Sequence, residues 1–155
     1  MNLEHLWVFL ISAAPISELR GAIPTALFRF DFPWYSAFFV SLLGNLLPVP
    51  FLLLFLDPLS RFLDKIEPLG KIKDWFFERT RRRRRIVERY GSIGLVLFVS
   101  IPLPVTGAWT GSILAFLLGL KFKSAFFPIL LGVFIAGVIV TTFCLAGWQG
   151  YLWLK

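Results

Sequence analysis

Residues 15–24 read Pro15-Ile16-Ser17-Glu18-Leu19-Arg20-Gly21-Ala22-Ile23-Pro24, an interruption of two prolines, a carboxylate and a guanidinium in an otherwise apolar stretch. The apolar run before it, Leu6 to Ala14, is too short to cross a hydrocarbon core that takes about 20 residues of helix. A second interruption, Pro102-Leu103-Pro104-Val105-Thr106-Gly107-Ala108-Trp109-Thr110-Gly111, falls in the middle of the uncharged stretch Gly91 to Leu120. Breakers at mid-stretch predict a chain that enters a bilayer, turns and leaves by the same side. They are Pro15, Gly21 and Pro24 in the first hairpin, and Pro102, Pro104, Gly107 and Gly111 in the second. Irregular backbone at that depth must be buried against protein or line a wet cavity. The competing reading of each segment is a proline-kinked full span.

Each interruption is followed by an apolar run long enough to span. Phe32 to Leu56 carries no charge for 25 residues, and Ser124 to Leu154 is again continuous. The two halves also match. Ser36-Ala37-Phe38-Phe39-Val40-Ser41-Leu42-Leu43-Gly44 aligns with Ser124-Ala125-Phe126-Phe127-Pro128-Ile129-Leu130-Leu131-Gly132 at an offset of 88, with seven of nine positions identical. Gly21-Ala22 aligns with Gly107-Ala108 at an offset of 86, so the breaker precedes the matching span in both copies. This reads as an internal repeat. The expected fold is an all-α integral membrane domain, 1–155. Repeat one covers 4–56 (re-entrant hairpin 4–30, transmembrane helix 32–56) and repeat two 90–154 (hairpin 90–120, transmembrane helix 124–150).

Composition agrees with a membrane protein. Of the 155 residues, 57% are hydrophobic and 16% charged, with 18 Phe and 6 Trp, against roughly a quarter charged in soluble domains. So small a soluble domain cannot hide that much apolar surface. The net charge of +7 is concentrated: 11 basic and 6 acidic residues lie between Asp57 and Tyr90. A basic block between apolar blocks reads as a cytoplasmic loop of an inner-membrane, multi-pass protein and not as a nucleic-acid surface. Lys121 and Lys123 then fall on the same side. Each repeat holds one crossing, so the second copy is expected to be inverted, with a site near the midplane between repeats. Within 57–89, Leu59, Phe62, Leu63 and Ile66 share one helical face, and Ile72, Trp75, Phe76 and Phe77 form a second apolar cluster. Both suit amphipathic helices on the inner leaflet. Arg79, Arg81, Arg82, Arg83, Arg84, Arg85 and Arg89 form a lipid-surface basic patch whose plainer role is to fix topology. Met1-Asn2-Leu3-Glu4-His5 lacks a positive n-region, so the first apolar stretch is expected to belong to the mature fold.

The chemistry is expected at the hairpin tips. A charge at mid-bilayer costs roughly 2.5–3.5 kcal/mol even on the lenient insertion scale, so Glu18 and Arg20 need partners or water. The plainer alternative is a shallow tip whose side chains reach interfacial water. Pro24 suits the first position of a half-helix, and Thr110 or Ser112 the cap of its counterpart. Two helix N-termini beside Arg20 make an anion site. Glu18, if desolvated, is a candidate proton acceptor for a proton-coupled cycle. Ser17, Thr106, Thr110, Trp109 and Asn45 complete the candidate substrate-binding or coupling set, with simple packing an equal alternative for Trp109. Enzymatic readings lack residues: His5 is the single histidine and Cys144 the single cysteine, so neither a His-based triad nor a zinc site is available, and there is no nucleotide-binding GxxxxGK[ST] loop. No catalytic residue, metal or cofactor is expected.

The paired motifs at 15–24 and 102–111 resemble the family called putative small multidrug export proteins, over roughly Leu6 to Gly147. That family in turn is similar to the DedA membrane proteins, which share paired re-entrant hairpins and inverted repeats. The DedA-like resemblance implies lipid translocation, including that of a polyprenyl phosphate carrier, with proton coupling; the family name implies drug export. DedA relatives carry acidic residues in the first hairpin and an arginine in the second. Here Glu18 and Arg20 both lie in the first, so only the acidic role maps, onto Glu18. The leading expectation is a small transporter or lipid translocase moving an amphipathic, phosphate-bearing lipid. The alternatives are a proton-driven small multidrug exporter and a non-transporting membrane scaffold. Two crossings are few to enclose a pathway, so a homodimer or larger is expected, with membrane lipids as the other partners.

Overall fold

A computed structural model describes residues 3–63, 84–102 and 106–153, and all of its regular structure is α-helical. The elements are α1 (Leu3–Ala13), α2 (Glu18–Phe28), α3 (Trp34–Leu46), α4 (Pro48–Leu63), α5 (Arg84–Ser100), α6 (Ala108–Leu117) and α7 (Phe122–Trp153). Among the described residues, two helical stretches are long and apolar enough to cross a membrane, Trp34–Leu56 and Phe122–Gly147. Leu3–Ala13, Gly91–Ser100 and Ala108–Leu117 are apolar but short. Of the segment 57–89 expected as inner-leaflet helices, 57–63 continues α4 beyond the expected end of the first span and 84–89 opens α5; 64–83, with Arg79, Arg81, Arg82 and Arg83, lies outside the described residues, as does Pro104.

The first long stretch is built from two helices. Leu47 keeps helical φ/ψ between α3 and α4, and its amide donates to the Leu43 carbonyl at 3.1 Å. Pro48 and Pro50 then bring no N–H, which removes two intrahelical bonds in succession. α7 runs unbroken through Pro128. In α5 the bend falls at Gly91, whose φ of 56° and ψ of −133° separate the arginine-bearing turn from the apolar helix Gly91–Ser100.

Packing follows the repeat seen in the sequence. α1 lies against α2 and α3, and α5 against α6 and α7. The halves then cross over: α2 packs on α7, α4 on α6, and α3 on α7. The matched glycines occupy matching places. A Cβ on Gly44 would overlap the Phe9 carbonyl of α1, and one on Gly132 would lie 2.7 Å from Val99 Cβ and 3.0 Å from the Val96 carbonyl of α5. At both points a span touches the first helix of its own half through a missing side chain, the close approach that small residues permit between membrane helices. Ser12 adds a hydrogen bond to the Ser41 carbonyl across the first of these contacts, at 2.5 Å. Leu19, Ile23, Leu95, Leu114, Ile129 and Val133 form the main buried core, to which both halves contribute. Outward, Phe39, Leu43, Phe51, Phe55, Phe127, Leu131, Phe134 and Phe143 are exposed. So much bare apolar surface marks a lipid-facing exterior.

Several local expectations are corrected. Gly21, Pro24 and Gly111 lie inside helices and do not break the chain. α2 begins at Glu18, because the turn over residues 14–17 already directs the Glu18 amide onto the Ala14 carbonyl at 3.2 Å. Gly111 serves close packing, since a Cβ there would lie 2.5 Å from Val99 Cγ2. The breaks themselves fall at Pro15 and between the end of α5 at Ser100 and the start of α6 at Ala108.

Candidate functional site

The two breaks meet. Glu18 opens α2 with a left-handed φ of 47°, a conformation that costs a non-glycine residue of order 1–3 kcal/mol and usually accompanies function. Its side chain is buried, 4% exposed. Oε1 accepts from the backbone amide of Trp109 in the first turn of α6 at 3.4 Å. Oε2 lies 3.7 Å from Arg20 Nη2, two residues on in the same first turn of α2. The carboxylate therefore sits where the unpaired amides and positive dipole end of α6 favour negative charge.

Gly107 makes that approach possible. It is the N-cap of α6, at φ 153° and ψ −163°, a region essentially reserved for glycine. A Cβ on Gly107 would fall inside the Glu18 carboxylate. Trp109 adds a second tie between the hairpins, its indole Nε1 donating to the Ala13 carbonyl at the end of α1 at 3.0 Å.

Beside the carboxylate is a small cavity lined by Glu18, Arg20, Asn45, Thr106 and Gly107, with Val133, Ala136 and Val140 of α7 among its apolar wall. Its volume for water centres is ≈ 10 Å³, about one water molecule. Asn45 is 1% exposed, and its Oδ1 has no hydrogen-bond partner. An orphaned buried acceptor costs about 1–3 kcal/mol, and the adjoining cavity is where a donor would reach Asn45.

Of the seven expected site residues, Glu18, Arg20, Asn45 and Thr106 line this cavity. Thr106 also spends its hydroxyl on the Ile101 carbonyl at 2.5 Å. Trp109 contributes its backbone amide, while its indole is committed to α1. Thr110 and Ser112 do not cap α6: their hydroxyls return to the Gly107 and Ala108 carbonyls at 3.4 and 2.7 Å. In apolar surroundings a hydroxyl without another partner bonds back to its own helix. Ser17 is the N-cap of α2 without a side-chain cap bond and packs beside Gly21 outside the cavity. Sequence reasoning missed Gly107 as a contact and the α7 wall, though the wall's spacing of i, i+3, i+7 is a helical face. No group of metal-ligating side chains occurs among the described residues.

A helical exterior made for lipid, with a buried polar site where two chain breaks meet, defines a membrane transport protein. The family assignment agrees. The chain belongs to the family described as putative small multi-drug export protein, whose profile matches residues 18–139; this is an export family and not an enzyme family. Neither a curated protein nor a solved structure matches the chain.

Proposed function

We propose that this protein is a DedA-like lipid translocase of the inner membrane that moves an amphipathic, phosphate-bearing lipid past a midplane site between two re-entrant hairpins. One observation carries the reading: the first turn of α6 and Arg20 converge on one buried carboxylate, a place built for negative charge.

The topology of the proposal is an inverted repeat, 4–56 and 90–154, with 57–89 cytoplasmic. Helices α1, α2 and α6 have 11, 11 and 10 residues, which at 1.5 Å each cover about half of a ~30 Å hydrocarbon core. Leu27, Phe28, Phe32 and Trp34 share a surface pocket with Leu145 near the end of α7. That proximity supports the base of hairpin one and the far end of the second span lying on the same, extracytoplasmic side. Ile16, at the first tip, is 90% exposed. A tip at mid-bilayer must be covered by protein or water, and a second copy of the chain in a homodimer is the proposed cover.

The family's printed name favours a second reading, proton-driven export of cationic drugs with Glu18 as counter-ion. Arg20 and the α6 amide already compensate that carboxylate, which weighs against it. Reconstitution into liposomes decides. Flipping of a fluorescent lipid phosphate, abolished by Arg20→Gln, is the expected result. Ethidium efflux without lipid flipping would install the drug reading, and neither activity in a folded protein would leave a membrane scaffold.

A further inference from the structure

We infer that the Glu18 carboxylate is a tethered competitor: the ionised side chain and a monoprotonated phosphate head group occupy the same place at the α6 N-terminus in turn. The inference rests on the translocase reading above and adds its coupling rule.

α6 has no side-chain cap of its own, because Gly107 holds the cap position. The ligand at its first turn is instead supplied from 91 residues away, Glu18 Oε1 on the Trp109 amide. The guanidinium of Arg20 faces the other oxygen. A carboxylate held by helix-terminal amides and an arginine is bound as an external anion would be. The remaining space, ≈ 10 Å³ for water centres, takes about one water. A tetrahedral phosphate does not fit beside the carboxylate, so the two exclude each other.

Asn45 indicates what the incoming anion carries. Its Oδ1 lines the same cavity, buried and without a partner, and it requires a donor. A phosphate monoester with one proton offers anionic oxygens to α6 and Arg20 and a P–OH to Asn45. A carboxylate offers the oxygens alone. Arg20 is the other ionisable group lining the cavity; the lining parts of α3, α5, α6 and α7 contribute none. An ionised Glu18 displaced within this buried region would be a second anion against the single charge of Arg20, so Glu18 takes up a proton from water as the phosphate arrives. One proton then accompanies each phosphate in the same direction. Departure of the carboxylate also frees Glu18 from its left-handed φ.

The test measures calorimetric binding of butyl phosphate and of inorganic phosphate to the full chain in detergent, for wild type and Glu18→Gln. Comparing both proteins with the same probe at each pH cancels the probe's own ionisation. Glu18→Gln is expected to bind about fivefold tighter than wild type at pH 8, the worth of one long hydrogen bond to a charged group, with the gap closing as pH falls. Equal or weaker binding by Glu18→Gln, while wild type binds, overturns the competition and leaves the translocase reading intact. Absence of phosphate binding and lipid flipping in both proteins overturns that reading itself. Preference for butyl over inorganic phosphate identifies a lipid head group; the reverse identifies the free ion. Should Glu18→Gln not fold, proton uptake by wild type decides, measured in two buffers of different ionisation enthalpy. About one proton per phosphate beyond the probe's own supports exclusion, and none refutes it.

Discussion

Gly107→Ala probes the contact between the hairpins most directly. Its φ of 153° and ψ of −163° are accessible to glycine but not to alanine, which places a strain of order 1–3 kcal/mol on the folded state. The new methyl group would also occupy the Glu18 carboxylate. Glu18 must then leave, losing its bond to the Trp109 amide. That bond is long, 3.4 Å, so about 1 kcal/mol, below the range for charged hydrogen bonds, is appropriate. The expected loss is about 2–4 kcal/mol, or roughly 5–15 °C in unfolding temperature for a chain of this size. Glu18→Ala alone is expected to lose about 1–2 kcal/mol. With the carboxylate already absent, the methyl group displaces nothing, so the double variant loses the bond once. The cycle should be sub-additive by about 1 kcal/mol, against the 0.3–0.5 kcal/mol scatter of independent sites. Thermal or SDS unfolding in detergent micelles reads all four proteins. Additive losses would refute the claim that Gly107 is glycine on account of Glu18.

Two further outcomes follow from the packing. Asn45→Leu replaces a buried, unpartnered acceptor by a side chain of similar size, and is expected to hold or raise stability by about 1 kcal/mol while lipid flipping falls; wild-type flipping would remove Asn45 from the site. Gly44→Ala and Gly132→Ala each force a methyl group onto a helix of the same half and should each lose about 1–3 kcal/mol as overpacking does. Gly147→Ala, which meets nothing within 4 Å, should be neutral, and equal stability of all three in a micelle melt would contradict the matched contacts.

The architecture was legible where the sequence repeated itself. The match between Ser36–Gly44 and Ser124–Gly132 marked the two glycines that now sit on α1 and α5, because a close helix approach leaves a conserved-size gap that only a small residue fills. Glu18, Arg20 and Asn45 were legible because polar groups are rare in such apolar stretches. The principal donor to Glu18 was not, since a backbone amide has no letter in the sequence. Pro24 misled for a related reason. Proline is at home at a helix start, but the turn at residues 14–17 had already started α2, and nothing local in the sequence decides between the two. Thr110 and Ser112 resembled caps for want of information about depth: a hydroxyl in an apolar core finds its own helix before it finds a neighbour.

The arrangement also constrains how such a protein can move. Two ties join the hairpins, Glu18 to the Trp109 amide and the Trp109 indole to the Ala13 carbonyl, and both converge on one residue of α6. The α7 side of the cavity is apolar, formed by Val133, Ala136 and Val140. Under the translocase proposal, a head group that passes here must separate α2 from the first turn of α6. Separation with Glu18 ionised would leave a carboxylate and unpaired amides in a low-dielectric interior, where each lost partner weighs more than in water. Separation with Glu18 protonated leaves no buried charge, and separation with another anion already on the amides leaves none of them unpaired. On the proposed mechanism, the charge at position 18 therefore sets whether α2 and the first turn of α6 can part.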